Sequence, residues 1–205
     1  MFGFPRCAVL FLAGALSAAC TQGTSGVVVD CPGPHPAPEA SLPAVLEGEG
    51  WQGVIFDAQR SRQARWFLGR PEQLTWAPNE SEIIQLEALL EQELQRAMRD
   101  PASVDAYARN KPDYQAHVAG EIRNVLAQLP HYRRQYVGLL DPDGKKTILL
   151  NAFPGAHWPL GQSFDFESRW REELVDVSDG GFWFWLAEFD PASGSLLRFD
   201  AHGEA

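Results

Sequence analysis

The chain has 205 residues, of which 45% are hydrophobic and 21% charged, a globular balance that excludes disorder and fibrous repeats. Its 17 basic and 27 acidic residues give a net charge of −10; with no Lys/Arg run, nucleic acid and an anionic membrane surface are excluded as electrostatic partners. Three cysteines are too few for a disulfide scaffold, and the length allows one domain with or without a tail.

Arg6 is the only charge before residue 20, and an apolar run of about ten residues follows it, from Cys7 to Leu16, before the small residues Ser17-Ala18-Ala19. A basic start, a short apolar stretch and a small-residue cleavage site make a signal peptide over 1–19. The run falls short of the roughly 20 residues that a permanent transmembrane helix needs. Leu16-Ser17-Ala18-Ala19-Cys20 resembles the lipobox of bacterial lipoproteins, with Ser17 where that family usually carries a larger aliphatic side chain. The resemblance implies cleavage before Cys20, a diacylglycerol on its thiol and an acyl group on the new N-terminus. Each buried lipid CH₂ contributes about 0.8 kcal/mol, so several chains on one residue anchor firmly. Ordinary secretion after Ala19 is the other reading, and it permits a Cys20–Cys31 disulfide that lipidation would preclude.

Residues 20–44 read as the lipidated cysteine and a tether, with Pro32, Pro34, Pro36, Pro38 and Pro43 at close spacing and no Lys or Arg between Cys20 and Arg60. Alternating proline disfavours helix and sheet and favours extended polyproline. His35, among these prolines, reads as solvated.

The folded domain is expected over 45–205. Trp51 to Phe56 reads as a strand by its aromatic and β-branched content. Arg65–Leu68 and Gln73–Trp76 flank the turn-like Gly69-Arg-Pro-Glu72, which predicts a hairpin. Asn79 followed by Glu82 makes a capping box, and Ile83, Leu86, Leu90, Leu94 and Met98 at 3/4 spacing predict an amphipathic helix over 80–99, ended by Asp100-Pro101. A second helix is expected over about 113–129, with Tyr114, Val118, Ile122, Val125 and Leu129 as its stripe. Strands Tyr132–Leu140 and Thr147–Phe153 flank Asp141-Pro-Asp-Gly144, a tight-turn signal. A further hairpin is expected from Trp170–Val177 and Phe182–Phe189 around Ser178-Asp-Gly-Gly181, and a last strand over Ser195–Ala201 after Asp190–Gly194. The sum is an α+β fold, two amphipathic helices packed on a twisted antiparallel sheet of consecutive hairpins.

The stretch Trp76–Glu87, the strand Tyr132-Arg-Arg-Gln-Tyr136, Asn151-Ala-Phe153, Val177–Gly181 and the ending His202-Gly-Glu-Ala205 together resemble a group of uncharacterised bacterial secreted or lipoprotein-like proteins, over roughly residues 75–205. The resemblance implies a shared fold and carries no activity. His202 stands where many of that group have Asn before Gly, so no role is placed on it.

Candidate binding residues are few. On a strand, Arg134 shares a face with Tyr132 and Tyr136 while Arg133 and Gln135 point the other way. If the tyrosines face the core, Arg134 is an anion-binding group, half of a structural salt bridge with a buried acid, or a snorkelling side chain at an edge. Asp179, before two glycines, can aim a carboxylate and bare N–H groups at a ligand, or simply serve a turn. Phe182-Trp183-Phe184-Trp185 is apolar on both faces. It reads as a central strand covered by helix on one side and loop on the other, or as an exposed Trp183/Trp185 strip for a glycan or protein, with Trp158 at its border. His117, His131, His157 and His202 are scattered, and no metal, nucleophile-elbow or phosphate-loop motif occurs; no catalytic residue, metal or cofactor is assigned. The leading expectation is an exported, membrane-anchored envelope protein, held through Cys20, whose domain binds an envelope protein or glycan without catalysis. An envelope hydrolase working near His157, Asp179 and Arg134, or a small inhibitor or immunity-type protein matched to a basic partner, are the alternatives.

Overall fold

The structure is a computed structural model and describes residues 43–155, 169–177 and 180–202. Cys20, the tether through residue 42, Trp158 and Asp179 lie outside the described residues, as do His157 and Cys31. The elements in chain order are β1 (Val45–Gly48), β2 (Trp51–Ile55), α1 (Ala58–Phe67), β3 (Thr75–Trp76), α2 (Glu80–Arg99), α3 (Pro112–Gln128), β4 (Tyr132–Leu140), β5 (Lys146–Pro154), β6 (Gly181–Phe189) and β7 (Leu196–His202). Helices and a largely antiparallel open sheet make the α+β class, as the sequence predicts.

The sheet runs β1-β2-β4-β5-β6-β7. β5 takes one whole edge of β4, from Tyr132↔Pro154 to Leu140↔Lys146. The other edge is shared. β2 pairs in parallel with its first half, Gln52↔Arg133 to Ile55↔Tyr136, and β3 pairs antiparallel with its second half at Thr75↔Leu139. The parallel pair requires a long crossover, and α1, β3, α2 and α3 supply it.

Both faces of the sheet are covered, so its central strands β4 and β5 are buried along almost their whole length. Tyr132, Tyr136, Ile148, Leu150, Trp185 and Phe199 pack beneath α2 and α3, against Ile83, Leu90, Leu94, Ile122 and Val125. Val137, Leu139, Leu149, Phe153 and Phe184 pack on the opposite face against Ala64 of α1 and against Trp170 and Val175. Each fully buried large apolar side chain contributes roughly 1.5–3 kcal/mol.

α2 begins at the expected capping box. Asn79 Oδ1 accepts from Glu82 N–H at 3.0 Å, and Asn79 N–H donates to Glu82 Oε2 at 2.8 Å. Its buried stripe ends on Ala97, one place before the expected Met98, which is half-buried. Pro112 opens α3, where a missing N–H costs nothing. The Asp141 turn joins β4 to β5, its carboxylate accepting from Asp143 N–H at 3.0 Å and Lys145 N–H at 2.8 Å.

Two expected hairpins are not there. Residues 58–67, which include the expected strand start at Arg65, form α1; the buried face of this helix carries Ser61 and Ala64, side chains too small to register as an apolar stripe. Only Thr75-Trp76 of the second arm is strand, and it pairs with β4 instead. Residues 169–173 turn and 174–177 run without regular structure, in place of a strand beside β6. Their backbone is held by side chains. Gln135 Nε2 donates to the carbonyls of Trp170 and Glu173, and Gln135 Oε1 accepts from Val175 N–H at 2.9 Å. Asn151 Nδ2 donates to Val175 O at 2.8 Å and to Gln135 Oε1 at 2.9 Å. Two buried amides thus take the place of a strand ladder.

Candidate functional site

β1 and β2 are joined by Glu49-Gly50. Gly50 has φ 76°, the sign that a type II turn demands at this position. The turn leans on the end of α3: a Cβ placed on Gly50 would stand 3.1 Å from Pro130 Cβ. Hollows open on either side of this contact. The larger, about 540 Å³, lies between the hairpin, α2 and the end of α3, and Trp51, Ile84, Ala88, Leu126, Leu129 and Glu91 are among its lining. Its neighbour, about 460 Å³, runs past Gln52, His131 and Arg133 to Gly155. The larger hollow is within the size range of ligand sites.

Its inner wall is a buried polar knot. Arg134 rises from β4 toward the helices because the strand's alternation puts it on the Tyr132/Tyr136 face. Its Nη1 meets Glu87 of α2, its Nη2 donates to Leu129 O at 2.9 Å, and Tyr136 OH donates to Glu87 Oε1 at 2.6 Å. The ion-paired side chains are only 2% and 6% exposed. Burial pushes the Glu87 carboxyl above the ordinary carboxylate range; the Arg134 guanidinium and the Tyr136 hydroxyl pull it part of the way back. Burial and the nearby Glu87 charge raise the Tyr136 phenol well above its usual value. Trp51 closes the knot from the side, its ring edge-on to Tyr136 at 6.3 Å and 5.6 Å from the guanidinium carbon of Arg134. Gly53 permits the arrangement, because a Cβ there would come within 2.6 Å of the Tyr136 ring.

Arg134 is therefore half of a structural salt bridge rather than an open anion receptor. Trp185 is fully buried, edge-on to Tyr132 at 5.6 Å and stacked on Phe199 at 5.9 Å, which removes it from any solvent-facing strip. Trp183 is half-buried beside Phe182, at 6.3 Å between ring centres. Of the sequence-predicted binding residues that are described, Arg134 pairs with Glu87 beneath the helices and Trp185 is buried against Tyr132 and Phe199, so neither forms a solvent-facing strip with Trp183. The hairpin groove escapes sequence reasoning because it is built by contacts between segments far apart in the chain. The signal present is charge: no Lys or Arg occurs over 43–59 or over 71–95, the stretches carrying Glu47, Glu49, Glu87 and Glu91.

On the opposite face a smaller hollow, about 190 Å³, is bordered by Arg70, Asn151, Asp176, Glu188, Arg198 and Asp200. Four of its charges pair among themselves: Arg70 holds Glu188 through two bonds of 2.7 and 3.1 Å, and Arg198 holds Asp200 at 2.8 Å. Among the described residues no group of three or more His, Cys, Asp or Glu side chains is placed to hold a metal ion, and no helix is long and apolar enough to cross a membrane. No protein-family model, curated protein or solved structure matches the chain.

Proposed function

We propose that this chain is a lipoprotein of the bacterial cell envelope, anchored through Cys20, whose α+β domain is a binding module and not an enzyme. The observation that carries the anchor is the Leu16-Ser-Ala-Ala-Cys20 motif after a short apolar run, followed by a Pro-rich segment suited to set the domain off from the bilayer. At about 3.1 Å per residue, a fully extended tether of about 24 residues reaches roughly 75 Å. The binding role is supported by the hairpin groove. It leaves Ile84, Ala88, Leu126, Leu129 and Trp51 partly open to water beside an acidic rim, on a domain whose sheet is covered on both faces.

The experiment is direct. Cys20→Ala should abolish incorporation of a labelled fatty acid and release the protein from the membrane fraction. A variant that remains in the membrane fraction contradicts the anchor.

A further inference from the structure

We propose that the groove under the β1–β2 hairpin receives a basic amphipathic segment of a partner protein, in which apolar side chains are flanked by Lys or Arg. The inference rests on the reading of this domain as a binding module and gives that module its partner chemistry. The floor is apolar and open: Ile84 is 53% exposed, Ala88 is exposed, and Leu126, Leu129 and Trp51 are half-buried. Ile84 and Ala88 stand one turn apart on α2, and the small side chain of Ala88 lets a partner backbone come close. The rim is acidic, with Glu47 and Glu49 on the hairpin and Glu91 on α2, all exposed. The one cation among the described residues of the wall, Arg134, is committed to Glu87 and offers the groove little positive field.

Charge decides among the possible occupants. The chain's own tether, residues 20–44, contains no Lys or Arg and carries Asp30 and Glu39, so its charge opposes that of the rim. A second copy brings a net charge of −10, and an anionic bilayer is repelled for the same reason. A basic amphipathic segment alone satisfies both parts of the groove. Its apolar side chains cover Ile84, Leu126 and Leu129 while its cations meet the three exposed carboxylates of the rim.

The test uses the full chain in a non-ionic detergent, with detergent alone as the blank, and a fluorescein-labelled peptide of sequence Lys-Leu-Leu-Lys repeated three times. Fluorescence anisotropy should show saturable binding that weakens from about 50 to about 300 mM NaCl without vanishing. Ile84→Asp and the double change Glu49→Lys/Glu91→Lys should each weaken it at least tenfold, while the thermal midpoint of these surface variants stays within a few degrees. Equal affinity for a twelve-residue oligolysine would overturn the proposal, reducing it to diffuse charge attraction. So would equal affinity for the Glu-Leu-Leu-Glu analogue, or indifference to both sets of changes. Sedimentation showing a dimer lost in Ile84→Asp would give the groove to a second copy, and tighter peptide binding on deletion of residues 21–42 would give it to the tether; either overturns the proposal. None of these readings depends on lipid at Cys20, so a failure here and a failure of the anchor are distinguishable.

Discussion

Arg134 lies on a strand face that must be covered by helices, so its charge has to bring a partner into the core. Glu87, 47 residues earlier on α2, is that partner. Removing one half of a buried pair strands the other: Arg134→Ala should cost about 3–5 kcal/mol of stability. The double change Arg134→Met/Glu87→Leu should recover part of that loss, since a packed apolar pair needs no desolvation of charge, the remainder coming from the Tyr136 hydroxyl and the Leu129 carbonyl that lose these partners. Urea denaturation of wild type and the two variants checks this, and a double variant as unstable as the single one would contradict it. Asp57 is a second case. It precedes α1, and its carboxylate accepts from Gln59 N–H at 3.0 Å and Arg60 N–H at 2.8 Å. Partial burial raises its pKa, but the Arg60 backbone N–H and guanidinium and the Gln59 N–H outweigh that and hold it below the ordinary carboxylate range. A carboxyl depressed in the fold binds protons less readily there than in the unfolded chain. Its contribution is therefore complete above the unfolded value, about 3.9, and disappears as pH falls through the folded one. Asp57→Ala should cost about 1 kcal/mol at neutral pH and progressively less below about pH 4. A loss that does not change with pH would rule out this account of the cap.

At the scale of elements, legibility follows locality. α2 and α3 can be placed from apolar spacing, with Asn79 and Glu82 marking the start of α2 and Pro130 the end of α3, because a helix's signals lie within a turn or two of its own residues. The β4–β5 hairpin is legible for the same reason, its turn being written in four consecutive residues. α1 reads as part of a hairpin because its buried residues, Ser61 and Ala64, are small, and its aromatic end resembles a strand. Residues 169–177 mislead in a different way: Trp170 and Val175 are buried as a strand's would be, but their backbone partners are the amides of Gln135 and Asn151. No pattern within the segment itself announces a partner 35 residues away. Gln135→Leu keeps the volume and removes that scaffold, leaving the Val175 N–H and two carbonyls without those bonds. The loss should be at least about 2 kcal/mol, and exchange of the Val175 amide should accelerate well beyond the global change. Unaltered protection at Val175 would show that packing of Trp170, not the amide, holds the segment.

The whole molecule divides into a part that composition makes readable and a part that only the fold reveals. Export and anchoring are expectations written in some twenty consecutive residues, 1–20, and net charge by itself narrows the class of partner. The groove is not readable in this way, because Trp51, Ile84, Leu126 and Pro130 come from separate places along the chain and meet only when β1 and β2 fold over the end of α3. The Phe-Trp-Phe-Trp run is conspicuous as composition, yet composition does not distinguish a surface strip from a strand packed between two layers, and Trp185 belongs to the second. What unites the domain with the first twenty residues is the proposed anchor: under that proposal an acidic module joined to Cys20 through a proline-rich segment would be held at the membrane and offered to a partner. Intact-mass analysis of the mature protein recovered from membranes tests that claim most directly. The account predicts a chain beginning at Cys20 with the added mass of a diacylglycerol and one further acyl group, and a first residue other than Cys20, or an unmodified Cys20, would contradict it.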